Sequence, residues 1–281
     1  MIVRVPASSA NLGPGFDALG MALTLHAELT LAGGGNDAFG GLLDEHHPAT
    51  IAFRACGGSG DLRLRCPIPS GRGLGFSGAV RVAGAVLAHA ARAPDGDDGV
   101  DAWRADTEQI LAVATELEGH ADNVAASLFG GVVATAAGRV VRVPLALDPA
   151  VVVWVPTFAT STDESRRGLA GVVAFEDAVF NLSRSALLVA ALAAGDVGAL
   201  RTACEDRLHQ DARFARAQPS RGALDAALAA GAWAAWLSGS GPTVAALCPA
   251  DEAEDLAAAL PGDGHAKLLR IDRRGAEVEH T

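Results

Sequence analysis

One stretch concentrates the residue types that can hold an anion: Pro69-Ser70-Gly71-Arg72-Gly73-Leu74-Gly75-Phe76-Ser77-Gly78-Ala79. A glycine-rich turn with a hydroxyl residue runs straight into an apolar segment, residues 79–91, that predicts a helix. The first turn of a helix leaves backbone N–H groups unpaired and carries the positive end of the helix dipole, so it attracts phosphate. Glycines at 71, 73 and 75 let the backbone bend and come close to such an anion. A plain turn is the alternative at this stage.

The lysine content limits what kind of phosphate loop this is. Lys267 is the single lysine in 281 residues. A Walker loop needs a lysine directly after its last glycine, and a protein-kinase fold needs one on a strand. Neither is available, and no His-Arg-Asp or Asp-Phe-Gly run occurs. A nucleotide bound here has to be held by amide groups, Mg²⁺ and arginine.

Three further stretches have the form of a site. Pro6-Ala7-Ser8-Ser9-Ala10-Asn11-Leu12-Gly13-Pro14-Gly15-Phe16-Asp17 follows a first strand and presents Asn11 and Asp17; a surface turn is its plain alternative. Glu116-Leu117-Glu118-Gly119-His120-Ala121-Asp122-Asn123 sets charged groups beside apolar sequence. Carboxylates so placed suit Mg²⁺, a hard ion that takes oxygen ligands. The same residues also suit a helix end at Gly119 and a new start at Asp122. Leu237 to Val244 is a glycine-rich turn between strands, and a hairpin explains it equally well.

The remaining elements must bring these stretches together. Strands are expected at residues 2–5, 23–31, 61–64, 132–134, 139–143, 151–155, 232–237, 243–247 and 267–271. Helices are expected at 79–91, 105–117, a short one ending at 128, then 163–169, 177–194, 197–208, 220–230 and one from Asp251. The interleaving has no regular βαβ rhythm, so the fold class is α+β, with units 1–150 and 151–281. Residues 95–101 form an acidic loop.

Composition narrows the function classes. Twenty-two basic and 33 acidic side chains give a net charge of −11, which opposes nucleic acid as the main partner. The apolar stretches are broken by charges or glycines, so no membrane span is expected. The four cysteines, at 56, 66, 204 and 248, form no metal-ligand spacing; reduced thiols in a cytoplasmic protein are expected.

Taken in order, the four stretches resemble the motifs of the GHMP kinase superfamily, and within it the homoserine kinase branch. The match runs through Val5 to Asp17, Arg72-Gly73-Leu74-Gly75 with Ser77 and Ala79, Glu118 to Ala125, and Leu237 to Thr243. Weaker pieces are Ser161 to Arg166 and Glu205 to Gln210 leading to Arg213. The resemblance covers essentially the whole chain. It implies an N-terminal half like ribosomal protein S5 and a ferredoxin-like C-terminal half, with the site between them. It also implies ATP-dependent phosphorylation of the side-chain hydroxyl of L-homoserine, with another small alcohol such as threonine or shikimate, or binding without chemistry, as alternatives.

By position, the resemblance places Arg72, Gly73, Leu74, Gly75, Phe76, Ser77, Gly78 and Ala79 around the ATP phosphates. It places Glu118 with the Ser77 hydroxyl on Mg²⁺, Glu116 ranking behind. Asn11, Asp17, His120 and Asn123 go to the amine and reacting hydroxyl, and Thr162, Arg166 and Arg213 to the carboxylate or transferred phosphoryl group. Asn123, Asp122 and Arg166 are the implied catalytic set, with Asp122 as base or as a positioning group. Homodimers are common among relatives, so a homodimer is open. The chain departs from the pattern at Phe76, where a serine is usual, at Asp211-Ala212, where Pro-Tyr is usual, and in residues 48–56, which lack the family's asparagine.

Overall fold

The computed structural model describes residues 1–33, 39–92, 102–160 and 162–279, without the side chains of Thr162 and Asp163. The acidic loop expected at 95–101 lies outside the described residues. The strands are β1 (Ile2–Ala10), β2 (Leu19–Leu31), β3 (Leu62–Arg65), β4 (Val132–Ala136), β5 (Arg139–Val143), β6 (Ala150–Pro156), β7 (Ala234–Leu237), β8 (Val244–Cys248), β9 (Gly264–Arg270) and β10 (Glu277–Glu279). The helices are α1 (Pro48–Ala55), α2 (Phe76–Ala90), α3 (Thr107–Glu118), α4 (Asp122–Phe129), α5 (Thr162–Arg167), α6 (Phe175–Ala194), α7 (Val197–Ala203), α8 (Gln210–Phe214), α9 (Gln218–Ala229) and α10 (Ala253–Ala258).

Two antiparallel sheets organise the chain, in agreement with an α+β class. The first has the order β10-β1-β2-β4-β5, with β3 pairing the far end of β2; the second has the order β7-β8-β6-β9. Strand β6 shows why both faces of the second sheet are covered. Val151, Val153 and Val155 join the main core with α6 and α7. Ala150, Val152 and Trp154 face a second core built with α9 and α10. Successive side chains point to opposite faces, so a continuous apolar run buries both. The last strand, β10, returns to the first sheet beside β1, so a cut at residue 150 separates that sheet from its edge strand.

Several boundaries differ from the expectations, for identifiable reasons. Strand β1 runs on to Ala10 through Pro6, where the register with β2 shifts. Proline has no N–H for the ladder, and the shift absorbs the missing bond. Ser8 and Ser9 lie fully buried in this strand, although small polar residues suggest a loop. Helix α1 was not expected; His47 caps it by accepting from the Ala49 N–H, with proline in its first turn. It crosses α2 so closely that a Cβ on Gly84 would stand 2.2 Å from the Ala49 carbonyl oxygen. Helix α7 stops at Ala203 rather than 208. Downstream the Asp206 carboxylate accepts the N–H groups of Leu208, His209 and Gln210, which starts α8 instead.

Helix α6 is long and apolar enough to cross a membrane by length and composition. Its Asn181 is nonetheless buried, donating to the Pro14 carbonyl and to Asp206, and Arg184 pairs with Glu205. All four cysteines are free, and burial pushes the Cys204 thiol up to about 12.

Candidate active site

The four stretches converge because glycines allow backbones to touch. A Cβ on Gly73 would lie 2.2 Å from the Ser238 carbonyl oxygen, and one on Gly75 would lie 2.1 Å from Ser8 Oγ. Only residues without a side chain permit those approaches. Hydrogen bonds complete the junction: Ser238 Oγ donates to the Gly73 carbonyl at 2.6 Å, the Ser8 N–H to Leu74 and the Gly239 N–H to Ala10. The end of β1, the loop before α2 and the turn after β7 are thereby one unit.

Against this junction lies a cavity of about 310 Å³. Asn11, Asp17, Arg72, Gly73, Gly75, Phe76, Ser77, Glu118, His120, Asp122, Asn123, Arg166 and Arg213 all line it. The walls come from both halves of the chain. Leu74, Gly78 and Ala79 do not reach it: all three are buried, Leu74 and Ala79 completely. Thr162 cannot be placed, because its side chain lies outside the described residues.

At one end of the cavity Gly75, left-handed at φ 67°, occupies the N-cap position of α2. It supplies no side-chain cap, so the first-turn amides keep their donor capacity at the cavity wall. Phe76 lines the cavity and packs edge-on to His47, with centroids 6.1 Å apart. Ser77 Oγ donates to Glu118 Oε2 at 2.6 Å, and Arg81 Nε donates to the same oxygen at 2.8 Å.

At the other end Asp17 (φ 56°) accepts both terminal nitrogens of Arg166, at 2.7 and 2.8 Å. These bonds hold Arg166 above its ordinary range. Phe16 lies beneath two guanidinium groups, 5.4 Å from Arg166 and 5.3 Å from Arg213. Burial, then the neighbouring Arg166 charge, pushes Arg213 down to about 10. Arg213 Nη1 donates to Gly239 O and to His209 Nδ1, while its Nε has no partner among the described residues. His209 Nε2 lies 2.7 Å from Gly13 O. A neutral ring, protonated at Nε2 and accepting at Nδ1, satisfies both contacts. Burial lowers the His209 pKa, in agreement with that state.

Asn11 is more occupied than expected of a ligand group. Its amide donates to Gly239 O and accepts from the Asp17 N–H, so it shapes the turn that presents Asp17. Asn123 Oδ1 accepts from Ser8 Oγ at 2.9 Å. Asp122 is almost wholly buried. Its Oδ1 accepts from His120 Nδ1 at 2.9 Å and from the Asn123 N–H at 2.8 Å. The bond to Asp122 raises the His120 pKa against the opposing effect of burial.

Sequence reasoning passed over four residues here. Arg81 could have been found from its i+4 spacing to Ser77. His209 and Phe16 stand inside stretches that had been singled out, without a role. Thr160, which lines the cavity and donates to Gly241 O, gave no signal.

An amide-lined helix start beside a paired carboxylate and arginine defines a small-molecule kinase of the GHMP type. Family models agree: "GHMP kinases N terminal domain" matches residues 27–131, and "GHMP kinases C terminal" matches 188–266. The chain belongs to the GHMP kinase family. A homoserine kinase of Thermus thermophilus is 42% identical over 272 residues, spanning 91% of this chain and 89% of its own length. One from Streptomyces avermitilis is 43% identical over 300 residues, 98% of this chain and 94% of its own. The crystal structure of homoserine kinase from Cytophaga hutchinsonii superposes with a TM-score of 0.81 at 25% identity, covering 99% of this chain and 97% of that one.

Proposed function

We infer that this chain transfers the γ-phosphoryl group of ATP to the side-chain hydroxyl of L-homoserine, giving O-phospho-L-homoserine, a step of threonine biosynthesis, in the cytoplasm. One observation carries the reading: a single cavity joins an anion-binding helix start to a carboxylate–arginine pair suited to an amino-acid zwitterion. The relatives' names agree with it. Shikimate, a carboxylate without an amino group, has no ammonium for Asp17. The net charge of −11 opposes nucleic acid as a further partner.

Residues 1–150 supply the nucleotide end, and 151–281 supply Arg166 and Arg213. Gly73, Gly75, Phe76 and Ser77 hold the phosphates through backbone donors, with Arg72 beside them. Glu118 and Ser77 fit Mg²⁺: both are hard oxygen donors, 2.6 Å apart at the cavity wall. No cluster of three metal-ligating side chains occurs among the described residues. Mg²⁺ takes few protein ligands and keeps waters and phosphate oxygens as the others. When bound, Mg²⁺ offsets the charge on the phosphates.

Asp17 takes the substrate ammonium, and Arg166 with Arg213 takes its carboxylate or the moving phosphoryl group. Planar guanidinium suits either anion. Asn123 and His120 line the path of the hydroxyl. The hydroxyl oxygen forms the new bond to the γ-phosphorus as the bond to the β,γ-bridging oxygen breaks, and ADP departs. Asp122 Oδ1 already accepts two hydrogen bonds that fix its orientation, so positioning is its main role and the proton passes to a phosphate oxygen.

The deciding experiment incubates purified protein with ATP and Mg²⁺ and, separately, homoserine, threonine, serine and shikimate, with products identified by mass spectrometry. Phosphohomoserine is expected. Turnover confined to another alcohol would reassign the substrate, and ATP binding without any product would remove the catalytic reading.

A further inference from the structure

Glu118 occupies an electrostatically unfavourable place. It is the last residue of α3, where the helix dipole presents its negative end, and no basic residue stands in that helix's last turn. Its side chain is only 12% exposed. A buried carboxylate placed so requires a cation or strong donors beside it to be held in one rotamer.

The donors come from α2. Ser77 and Arg81 stand four residues apart, so they share one face of that helix, and both donate to the same oxygen, Glu118 Oε2. Arg81 is itself mostly buried, 16% exposed, so this is not a loose surface pair. No hydrogen bond to Oε1 is made among the described residues, and Glu118 lines the cavity. One carboxylate oxygen is tethered and the other is left for the cavity.

We propose that Arg81 is a positioning residue for the metal. Its guanidinium holds Glu118 by one oxygen so that the second meets the divalent cation bound with the nucleotide. The inference rests on Glu118 being a metal ligand and adds a residue to that site. Arg81 does not touch substrate or metal; it sets the geometry of the group that does. An outer partner of this kind typically changes metal affinity 10- to 100-fold when removed.

Mn²⁺ serves as the probe, followed by electron paramagnetic resonance in the presence of a non-hydrolysable ATP analogue. The variants are Arg81→Met, which keeps an apolar stem, Arg81→Lys, which returns a donor, and Glu118→Gln, each checked for wild-type circular dichroism and thermal midpoint. Arg81→Met should weaken Mn²⁺ binding about 10-fold or more, and raise the Mg²⁺ activation constant by a similar factor while the homoserine KM stays unchanged. Arg81→Lys should recover part of the affinity. Unchanged Mn²⁺ affinity in Arg81→Met, with Glu118→Gln strongly weakened, overturns the role of Arg81 alone. Tighter Mn²⁺ binding in Arg81→Met also overturns it, because Arg81 would then compete with the metal. Unchanged affinity in Glu118→Gln removes the metal assignment and this inference with it. If Arg81→Met fails to fold, Arg81→Lys decides: a lysine cannot reproduce the Nε contact, so wild-type affinity there counts against the proposal.

Discussion

Arg166 and Asp17 are separated by 149 residues and meet through two N–H···O bonds, Nη1 to Oδ2 at 2.8 Å and Nη2 to Oδ1 at 2.7 Å. Each is charged oppositely to one end of a zwitterion. On the proposed reading, an amino acid entering between them would offer its ammonium to Asp17 and its carboxylate to Arg166, replacing one ion pair by two. The pair is 34–45% exposed, so water screens it and parting it costs little.

Removing either partner should therefore damage catalysis more than stability. Asp17→Asn and Arg166→Gln are each expected to lower kcat/KM for homoserine about 10- to 100-fold, the size of one lost charge-assisted hydrogen bond. The thermal midpoint should move little. Steady-state kinetics beside calorimetry test this; a large loss of stability with unchanged KM would show a structural pair instead.

Glu118→Ala is expected to abolish Mg²⁺-dependent turnover while the fold persists. Loss of the carboxylate also leaves Arg81 and Ser77 without their shared acceptor, so a stability cost of about 1–3 kcal/mol should accompany it. Activity assays over a Mg²⁺ series, with denaturant titration as the control, separate the two effects. Full activity at ordinary Mg²⁺ would refute the metal role.

The phosphate loop should not tolerate a methyl group at Gly73. Its left-handed backbone, φ 72°, costs about 1–2 kcal/mol for a residue with a side chain, and the added Cβ would meet the Ser238 carbonyl oxygen at 2.2 Å. Gly73→Ala should lower stability by at least that amount and raise the KM for ATP. Urea unfolding and ATP titration measure both, and a neutral outcome would mean that the two halves are not in contact there.

His120 should make stability depend on pH. Its hydrogen bond to Asp122 raises its folded pKa above the ordinary 6.5, burial acting in the opposite sense. A raised folded pKa means that protonation favours the folded state. The contribution is complete below the unfolded value and is lost as pH rises through the folded one. The difference in thermal midpoint between wild type and His120→Gln should thus shrink as the pH rises above about 6.5. A difference that is constant over that range would show that folding leaves the pKa of the ring unchanged.

The legible part of the site was its backbone chemistry. Glycines at 71, 73, 75, 239 and 241 announce turns because few other residues adopt positive φ, and all five do so here. Polar residues beside them, Asn11, Asp17, Glu118 and His120, could be picked out by type. What those side chains bond to could not. Asn11 is spent on Gly239 and Asp17, and Leu74, Gly78 and Ala79 are buried behind the loop they define. The i+4 spacing of Arg81 to Ser77 is legible, but its partner Glu118 lies 37 residues away in sequence and is known only from the fold.

Local rules, namely φ preferences, strand alternation and the amide-rich start of a helix, are properties of neighbouring residues and can be read from order along the chain. They specified an α+β protein with a lysine-free anion loop. Pairings such as Arg166 with Asp17, Arg81 with Glu118 and β10 with β1 join residues far apart in sequence. They depend on how two sheets and their helices pack, because a side chain's partner is set by distance in space and carries no local signature.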